Sequence, residues 1–302
     1  MYRELISHKI AELKKERKAI ILAHNYQLGE IQDAADFVGD SLELARKAAK
    51  VDAEVIVFCG VHFMAETAAI LSPEKIVLAP EPRAGCPMAD MISGAELREF
   101  KSRHPGLPVV CYVNSTAEVK AESDICCTSA NAVKVVESLK SDTVLFVPDQ
   151  YLGAFVKERT SKKIISWPGY CPSHARIKPE DIVNLKKHYP AAKVIVHPES
   201  RPEVTALADE VLSTGQMVSY AARADVKELI VGTEIGMLYR LRKENPDKLF
   251  IPVSEQAVCA NMKMTTLPKL LASLENMQTV VSVPEEIRVK AVGAVERMLR
   301  VV

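Results

Sequence analysis

The chain has 302 residues, 48% of them hydrophobic, and its 39 basic and 39 acidic side chains cancel to a formal net charge of zero. That is ample for a buried core, with a soft prior of about two domains, and the even charge argues against a nucleic-acid footprint or a basic membrane face. No apolar run approaches a membrane span, Met1-Tyr2-Arg3-Glu4 opens a charged helix and not a signal peptide, and seven cysteines with no Cys-x-x-Cys pair argue against a disulfide framework, so a cytoplasmic protein is expected.

Residues 2–18 read as an amphipathic helix with Leu5, Ile6, Ile10 and Leu13 on one face. Ala19–Ala23 is a continuous apolar strand of the kind buried on both faces of a parallel sheet, ending at His24-Asn25-Tyr26. A helix follows over Ile31–Phe37, and Gly39-Asp40-Ser41 opens another over Leu42–Lys50. Val55–Phe58 is a strand, Phe63–Leu71 a helix and Ile76–Ala79 a strand, after which Cys86 arrives.

The same order returns twice. Val109–Val113 ends at Asn114, Cys126-Cys127 leads into Thr128-Ser129 and a helix, and Val144–Val147, Leu152–Arg159 and Ile164–Trp167 run strand, helix, strand up to Cys171. Then Val194–Val196 ends at His197-Pro198-Glu199, Val211-Leu212 leads into Ser213-Thr214-Gly215 and a helix, and Leu229–Val231, Ile235–Lys243 and Leu249–Val253 run up to Cys259. The cysteines are 85 and 88 residues apart, and the first-strand ends at 24, 114 and 197 are 90 and 83 apart. Alternation of strands and helices predicts α/β units with parallel sheets. The expected fold is three pseudo-threefold-related, three-layer α/β/α domains, over residues 1–86, 87–171 and 172–264, with the site at their common centre. In residues 265–302, Leu267–Leu274 reads as a helix and Val280–Val283 as a strand. Pro284 opens a last helix with Ile287, Ala291, Val295, Met298 and Leu299 on one face, and these C-terminal helices are expected to pack back on the first domain.

Three thiolates brought to one centre suit zinc with a fourth ligand or an iron–sulfur cluster, and the spacing alone also fits ordinary thiols. Cys59, Cys111, Cys126 and Cys127 lie within apolar runs and read as packed thiols. His24, Tyr26, Tyr112, Asn114, His197 and Glu199 would stand at the carboxyl ends of strands, where such sheets bind ligands. There His and Glu can move protons. Ser41, Ser129 and Thr214 begin helices, where hydroxyls cap and free N–H groups bind anions. His174 is open between metal ligand, donor to a ligand and substrate contact. Asp33 and Asp40 read as capping or solvated carboxylates, and His62, His104 and His188 as surface or loop residues. No Gly-x-Gly-x-x-Gly or P-loop occurs, so a nucleotide is not the expected ligand.

Ile21-Leu22-Ala23-His24-Asn25-Tyr26-Gln27, Gly39-Asp40-Ser41, Cys86-Pro87-Met88-Ala89 and Tyr112-Val113-Asn114-Ser115-Thr116 carry a resemblance. So do Thr128-Ser129-Ala130-Asn131, His197-Pro198-Glu199, Ser213-Thr214-Gly215-Gln216-Met217 and Ala257-Val258-Cys259-Ala260-Asn261-Met262. Together they resemble the quinolinate synthase family of de novo NAD synthesis. The resemblance implies a 4Fe–4S cluster held by Cys86, Cys171 and Cys259, with one iron open to substrate. It implies a transferase that condenses iminoaspartate with dihydroxyacetone phosphate, closes the ring, and releases quinolinate, phosphate and water. It places His24, Ser41, Tyr112, Val113, Asn114 and Ser129 against substrate, with His197, Pro198, Glu199 and Thr214, and puts Tyr26 and His174 in the same pocket. With this chemistry Glu199 and Tyr26 read as proton movers and His197 and His24 as supporting donors. An L-aspartate oxidase or dehydrogenase would supply iminoaspartate. Ser200 stands where many members have cysteine, and no cysteine cluster surrounds Cys259, which weighs against a thiol–disulfide switch and not against the cluster. An aconitase-like hydro-lyase with the same open iron, a cluster-bearing sensor and a zinc-stabilised binding module are the other readings.

Overall fold

The computed structural model describes residues 2–301. One order of elements, helix then strand four times over, occurs three times. The first set is α1 (Tyr2–Glu16), β1 (Ala19–His24), α2 (Gly29–Ala34), β2 (Phe37–Gly39), α3 (Ser41–Lys50), β3 (Val55–Cys59), α4 (His62–Leu71) and β4 (Ile76–Leu78). The second is α5 (Gly94–Ser102), β5 (Val109–Tyr112), α6 (Ala117–Ala121), β6 (Ile125–Cys127), α7 (Ala132–Ser138), β7 (Thr143–Val147), α8 (Gln150–Lys157) and β8 (Lys163–Ser166). The third is α9 (Pro179–His188), β9 (Lys193–Val196), α10 (Pro202–Thr205), β10 (Glu210–Val211), α11 (Thr214–Ala221), β11 (Glu228–Gly232), α12 (Met237–Glu244) and β12 (Leu249–Pro252). Helices α13 (Leu267–Asn276) and α14 (Glu285–Arg300) complete the chain.

Each set forms its own four-stranded sheet, ordered β2-β1-β3-β4, β6-β5-β7-β8 and β10-β9-β11-β12. All neighbours within the sheets are parallel. The register repeats as well. Leu22 pairs with Phe37, Val110 with Ile125 and Ile195 with Glu210, always 15 residues on. Ala19 pairs with Val55, Val109 with Leu145 and Lys193 with Leu229, always 36 residues on. One device pins the shorter step. Asp36, Asp124 and Asp209 each accept a hydrogen bond from the backbone N–H of Ile21, Val109 and Val194, at 2.8, 2.7 and 2.7 Å. The sheets are therefore three copies of one unit down to single side chains.

Central strands are apolar throughout because helices cover both faces; every residue of β3 is buried. The inner faces of the three sheets join one core, to which Leu22, Val110 and Ile195 belong. The outer faces of the first and third keep their own, around Ile21, Val57 and Leu270 and around Val194, Ile230 and Ile251. Backbone meets backbone where the first unit touches the third: a Cβ on Gly236 would stand 2.6 Å from the Tyr26 carbonyl oxygen, so only glycine fits. Helix α13 packs on α1 and β3, whereas α14 lies along α6 and β6 and reaches α4.

Three local expectations change. The helix over 31–37 stops at Ala34, because Phe37–Gly39 pairs with β1 as an edge strand. Leu5 is 56% exposed, because the buried stripe of α1 runs through Ile6 and Ile10, one turn apart, and Leu5 lies off it. Val280–Val283 makes no strand; a single antiparallel bridge joins Val280 to Leu78 at the sheet edge. Asp33, read as a capping or solvated carboxylate, is the latter: it is exposed and accepts from Tyr239 at 2.6 Å and from Lys243 at 2.6 Å. Among the described residues no helix is long and apolar enough to cross a membrane.

Candidate active site

In each sheet the chain leaves the first strand to one side and later returns on the other. That topology opens a crevice at the carboxyl ends of β1, β5 and β9. A cavity of about 60 Å³ lies where the three crevices meet. Strand ends bring His24, Tyr26, Tyr112, Asn114, His197 and Glu199 to it, and the first residues of α3 and α11 bring Ser41 and Thr214, whereas Ser129, expected to begin a helix, comes from the turn before α7, which starts only at Ala132. The loops after β4, β8 and β12 bring Cys86, Cys171 and Cys259. His174 also lines it. Val113 and Pro198 do not; both are buried in the wall behind.

The three cysteines are free and half-buried. Each is followed by one turn of 3-10 helix, at Ala89–Met91, His174–Arg176 and Asn261–Lys263. These turns aim backbone N–H groups at sulfur: Met88 and Ala89 at Cys86, His174 at Cys171, Asn261 and Met262 at Cys259. Burial pushes the Cys86 thiol up to about 12, helped by the charge of Cys259. Burial likewise raises Cys171, with Glu199 and Cys86 adding to it, and raises Cys259. The sulfurs thus sit within electrostatic reach of one another, in a pocket that disfavours bare thiolates yet supplies neutral N–H donors. A cationic or clustered metal centre meets both conditions, since it takes the protons' place while the amides hydrogen-bond its sulfur. Cys171, His174 and Glu199 also place one ligand atom each within 4.8 Å of the others, a group that could hold a metal ion.

Two histidines are oriented by one backbone device. The N–H of Tyr26 donates to His24 Nδ1 at 3.2 Å, and the N–H of Glu199 donates to His197 Nδ1 at 3.3 Å. Nδ1 is therefore the acceptor in both rings, and Nε2 carries the proton. His197 Nε2 lies 3.2 Å from Ser129 Oγ. Burial brings both imidazoles down to about 3, so both are neutral donors to the cavity. His174 is the opposite tautomer, with Nδ1 2.8 Å from Glu199 Oε2. Its ring stacks on His197, centroids 4.8 Å apart.

Glu199 is 3% exposed. Burial alone would raise its carboxyl, but His174, His197 and the Tyr112 hydroxyl bring it below the usual carboxylate range. Tyr112 donates to Oε1 at 2.7 Å and Asn114 at 3.2 Å. Tyr26 goes the other way, raised far above 10 by burial and by the Glu199 charge. Glu199 is thus held as a carboxylate and Tyr26 as a phenol.

The helix starts are capped by neighbours of the expected residues. Asp40 caps α3 and Ser213 caps α11, each in a capping box. Ser41 and Thr214 are thereby free to face the cavity, and Asn25 Nδ2 donates to Thr214 Oγ1 at 2.9 Å. The four remaining cysteines, Cys59, Cys111, Cys126 and Cys127, are fully buried.

Sequence reasoning passed over Thr233 and Glu234, which end β11 just as Pro148 and Asp149 end β7. Glu234 is 1% exposed and lines the cavity. Its Oε1 accepts from the Cys259 N–H at 3.1 Å and pairs with Lys263 Nζ at 2.9 Å. The signal was there, since the strand-end rule applied to β1, β5 and β9 holds one crossover later.

Comparison with known proteins gives a consistent result. A family model described as quinolinate synthetase A protein matches residues 8–300. A quinolinate synthase of Dehalococcoides mccartyi (strain CBDB1) is 99% identical over 302 residues, the whole of both chains. One from Thermodesulfovibrio yellowstonii is 58% identical over 97% of each chain. Quinolinate synthase 1 of Methanosarcina acetivorans is 57% identical over 97% of this chain and 96% of its own.

Proposed function

The chain belongs to the quinolinate synthetase A family, the quinolinate synthases of NAD biosynthesis, and on that premise we propose how its residues do the work. The substrates are iminoaspartate and dihydroxyacetone phosphate, and the reaction is a transferase-type condensation with dehydration and ring closure. Three domains, over residues 1–86, 87–171 and 172–264, each contribute one cysteine, and Cys86, Cys171 and Cys259 would hold a 4Fe–4S cluster. When bound, such a cluster with three cysteine ligands supplies a Lewis-acidic iron open to a substrate oxygen. The observation that carries this reading is the cysteine trio itself: three repeat-related thiols on one cavity, each under the N–H groups of its own turn.

The side chains account for the rest. Ser41, Thr214 and Ser129 offer hydroxyls beside helix starts, and His24 and His197 offer Nε2–H donors, so carboxylate and phosphate groups meet neutral donors. Glu199 takes a proton from substrate carbon or nitrogen. Its Oε1 is held by Tyr112 and Asn114. A substrate that draws those donors to itself leaves Oε1 more basic. Tyr26, kept as a phenol, returns a proton to the departing oxygen. Buried Asn114 Oδ1 has no partner and suits an N–H of the imine-derived nitrogen. Val113 and Pro198 shape the wall. A cytoplasmic location and coupling to an L-aspartate oxidase or dehydrogenase go with substrates this labile.

The cluster reading is favoured over a single ion on Cys171, His174 and Glu199. That ion would leave Cys86 and Cys259 idle, and it would need the edge where His174 already donates to Glu199. The test is anaerobic reconstitution with iron and sulfide, followed by assay with iminoaspartate and dihydroxyacetone phosphate, and separately with hydroxy acids. Quinolinate formation is expected. Dehydration of hydroxy acids in its place would establish the aconitase-like reading.

A further inference from the structure

The three cysteine turns are tied to one another by bonds that do not pass through sulfur. Ser173 stands two residues past Cys171. Its Oγ donates at 3.2 Å to the backbone carbonyl of Val258, the residue just before Cys259. Asn261 stands two residues past Cys259. Its Nδ2 donates at 2.7 Å to the backbone carbonyl of Gly85, the residue just before Cys86. Both units reach from the same place on their own turn to the same place on the next unit's loop.

The third step cannot be made that way, because the residue two past Cys86 is Met88, whose side chain has no donor. Here the donation is reversed. Met91, at the end of the same turn, accepts: its carbonyl takes the Trp167 indole N–H at 2.8 Å. Its sulfur takes the backbone N–H of Tyr170, the residue just before Cys171, at 3.3 Å. Gly169 lets the chains come this close, since a Cβ there would stand 2.5 Å from the Pro148 carbonyl oxygen and 3.4 Å from Met91 Cβ. The links run from the second unit to the third, from the third to the first and from the first to the second, so the ring is closed.

Units of one chain that meet at modest interfaces shift against one another by default. Three ligands gathered from three such units bind one centre weakly unless they are held in place, because ordering them opposes binding. We infer that Ser173, Asn261 and Trp167 are positioning residues for the metal centre: they lock the three turns into a ring that fixes where the sulfurs stand, whatever the sulfurs hold. This rests on the reading of Cys86, Cys171 and Cys259 as ligands of one cluster. Opening any link should let the turns part and make bound iron easier to lose.

The test is the rate at which anaerobically reconstituted protein gives up iron to an excess of ferrous chelator, with circular dichroism as the check on folding. Ser173→Ala, Asn261→Leu and Trp167→Phe each remove one donor and keep most of the packing. Each should release iron about 3–10-fold faster than wild type. Ser254→Ala is the control. Ser254 Oγ accepts from the Gln256 N–H at 3.2 Å within the loop that carries Cys259, and that bond joins no two units. Its iron should leave within about 1.5-fold of the wild-type rate. A wild-type rate in any folded link variant overturns the inference. So does a control as fast as the link variants, which would assign the effect to general loosening of the loops. The three links lie at separate places, so a variant that fails to fold leaves the others to decide. A wild-type chain that takes up no iron overturns the cluster reading and this inference together, whereas iron held equally well by wild type and link variants overturns the inference alone.

Discussion

Two trios of cysteines sit in this protein under opposite conditions. Cys86, Cys171 and Cys259 stand on three separate loops, half-buried, each under the N–H groups of a 3-10 turn. Cys111, Cys126 and Cys127 lie on the adjacent strands β5 and β6, fully buried. Acidity alone would single out Cys111, which lies outside the cavity, although its neighbours Cys126 and Cys127 are raised, by the hydrogen bond to Cys111 and by burial. Burial acts to raise Cys111, yet a hydrogen bond from Cys126 and the charge of fully buried Lys120 bring it down to about 7, while burial holds Cys86 up at about 12. What separates the proposed ligands from the packed thiols is a shared cavity and donors aimed at sulfur, not an easily lost proton.

The sharpest way to break that comparison is Cys171→Ser. It should lose bound iron and reduce quinolinate formation by more than about 10³-fold, while circular dichroism stays as in wild type. Full activity would place the ligand elsewhere. Glu199→Gln separates binding the metal centre from using it: iron content should hold and kcat should fall about 10²–10⁴-fold. Wild-type turnover would remove Glu199 from proton transfer.

Burial that raises thiols also lowers imidazoles, and this gives a prediction about stability. His24 and His197 fall from 6.5 to about 3 on folding. Below pH 6.5 the unfolded chain takes up protons that the folded rings refuse. Stability is therefore full above 6.5 and is lost as pH falls toward 3, by up to about 1.4 kcal/mol per pH unit for each ring. Urea midpoints should drop through this window, and His24→Gln should flatten the slope by up to half of what the two rings supply. An unchanged slope would show that His24 accepts a proton in the fold. The smallest effect is expected at Cys127→Ala, which should keep iron and activity within about twofold and lose only about 1–2 kcal/mol in urea unfolding. Iron loss there would erase the distinction between the trios.

The repeat made much of this legible. Apolar runs ending in His24, Tyr112-Val113-Asn114 and His197, each followed in time by a cysteine, gave the parallel units and most of the cavity's polar lining. What escaped was decided by contacts distant in sequence. The edge strands Phe37–Gly39 and Glu210–Val211 have three and two residues, too short to show a period, and exist because β1 and β9 offer an open side. Asp40 caps α3 as one reading of it predicts, but the capping role expected of Thr214 went to Ser213, since one-residue shifts at a helix start are settled by the loop's path. Thr233 stood at a legible strand end, but its contacts with Tyr26 of the first unit and His174 at the head of the third are set by tertiary packing that the local sequence does not encode.

Iron and acid-labile sulfide per chain, counted after anaerobic reconstitution, test the central claim most directly. A three-cysteine cubane predicts about four of each, and neither in the protein with Cys86, Cys171 and Cys259 all changed to serine. One metal ion per chain without sulfide, or the full complement in that triple variant, would contradict it.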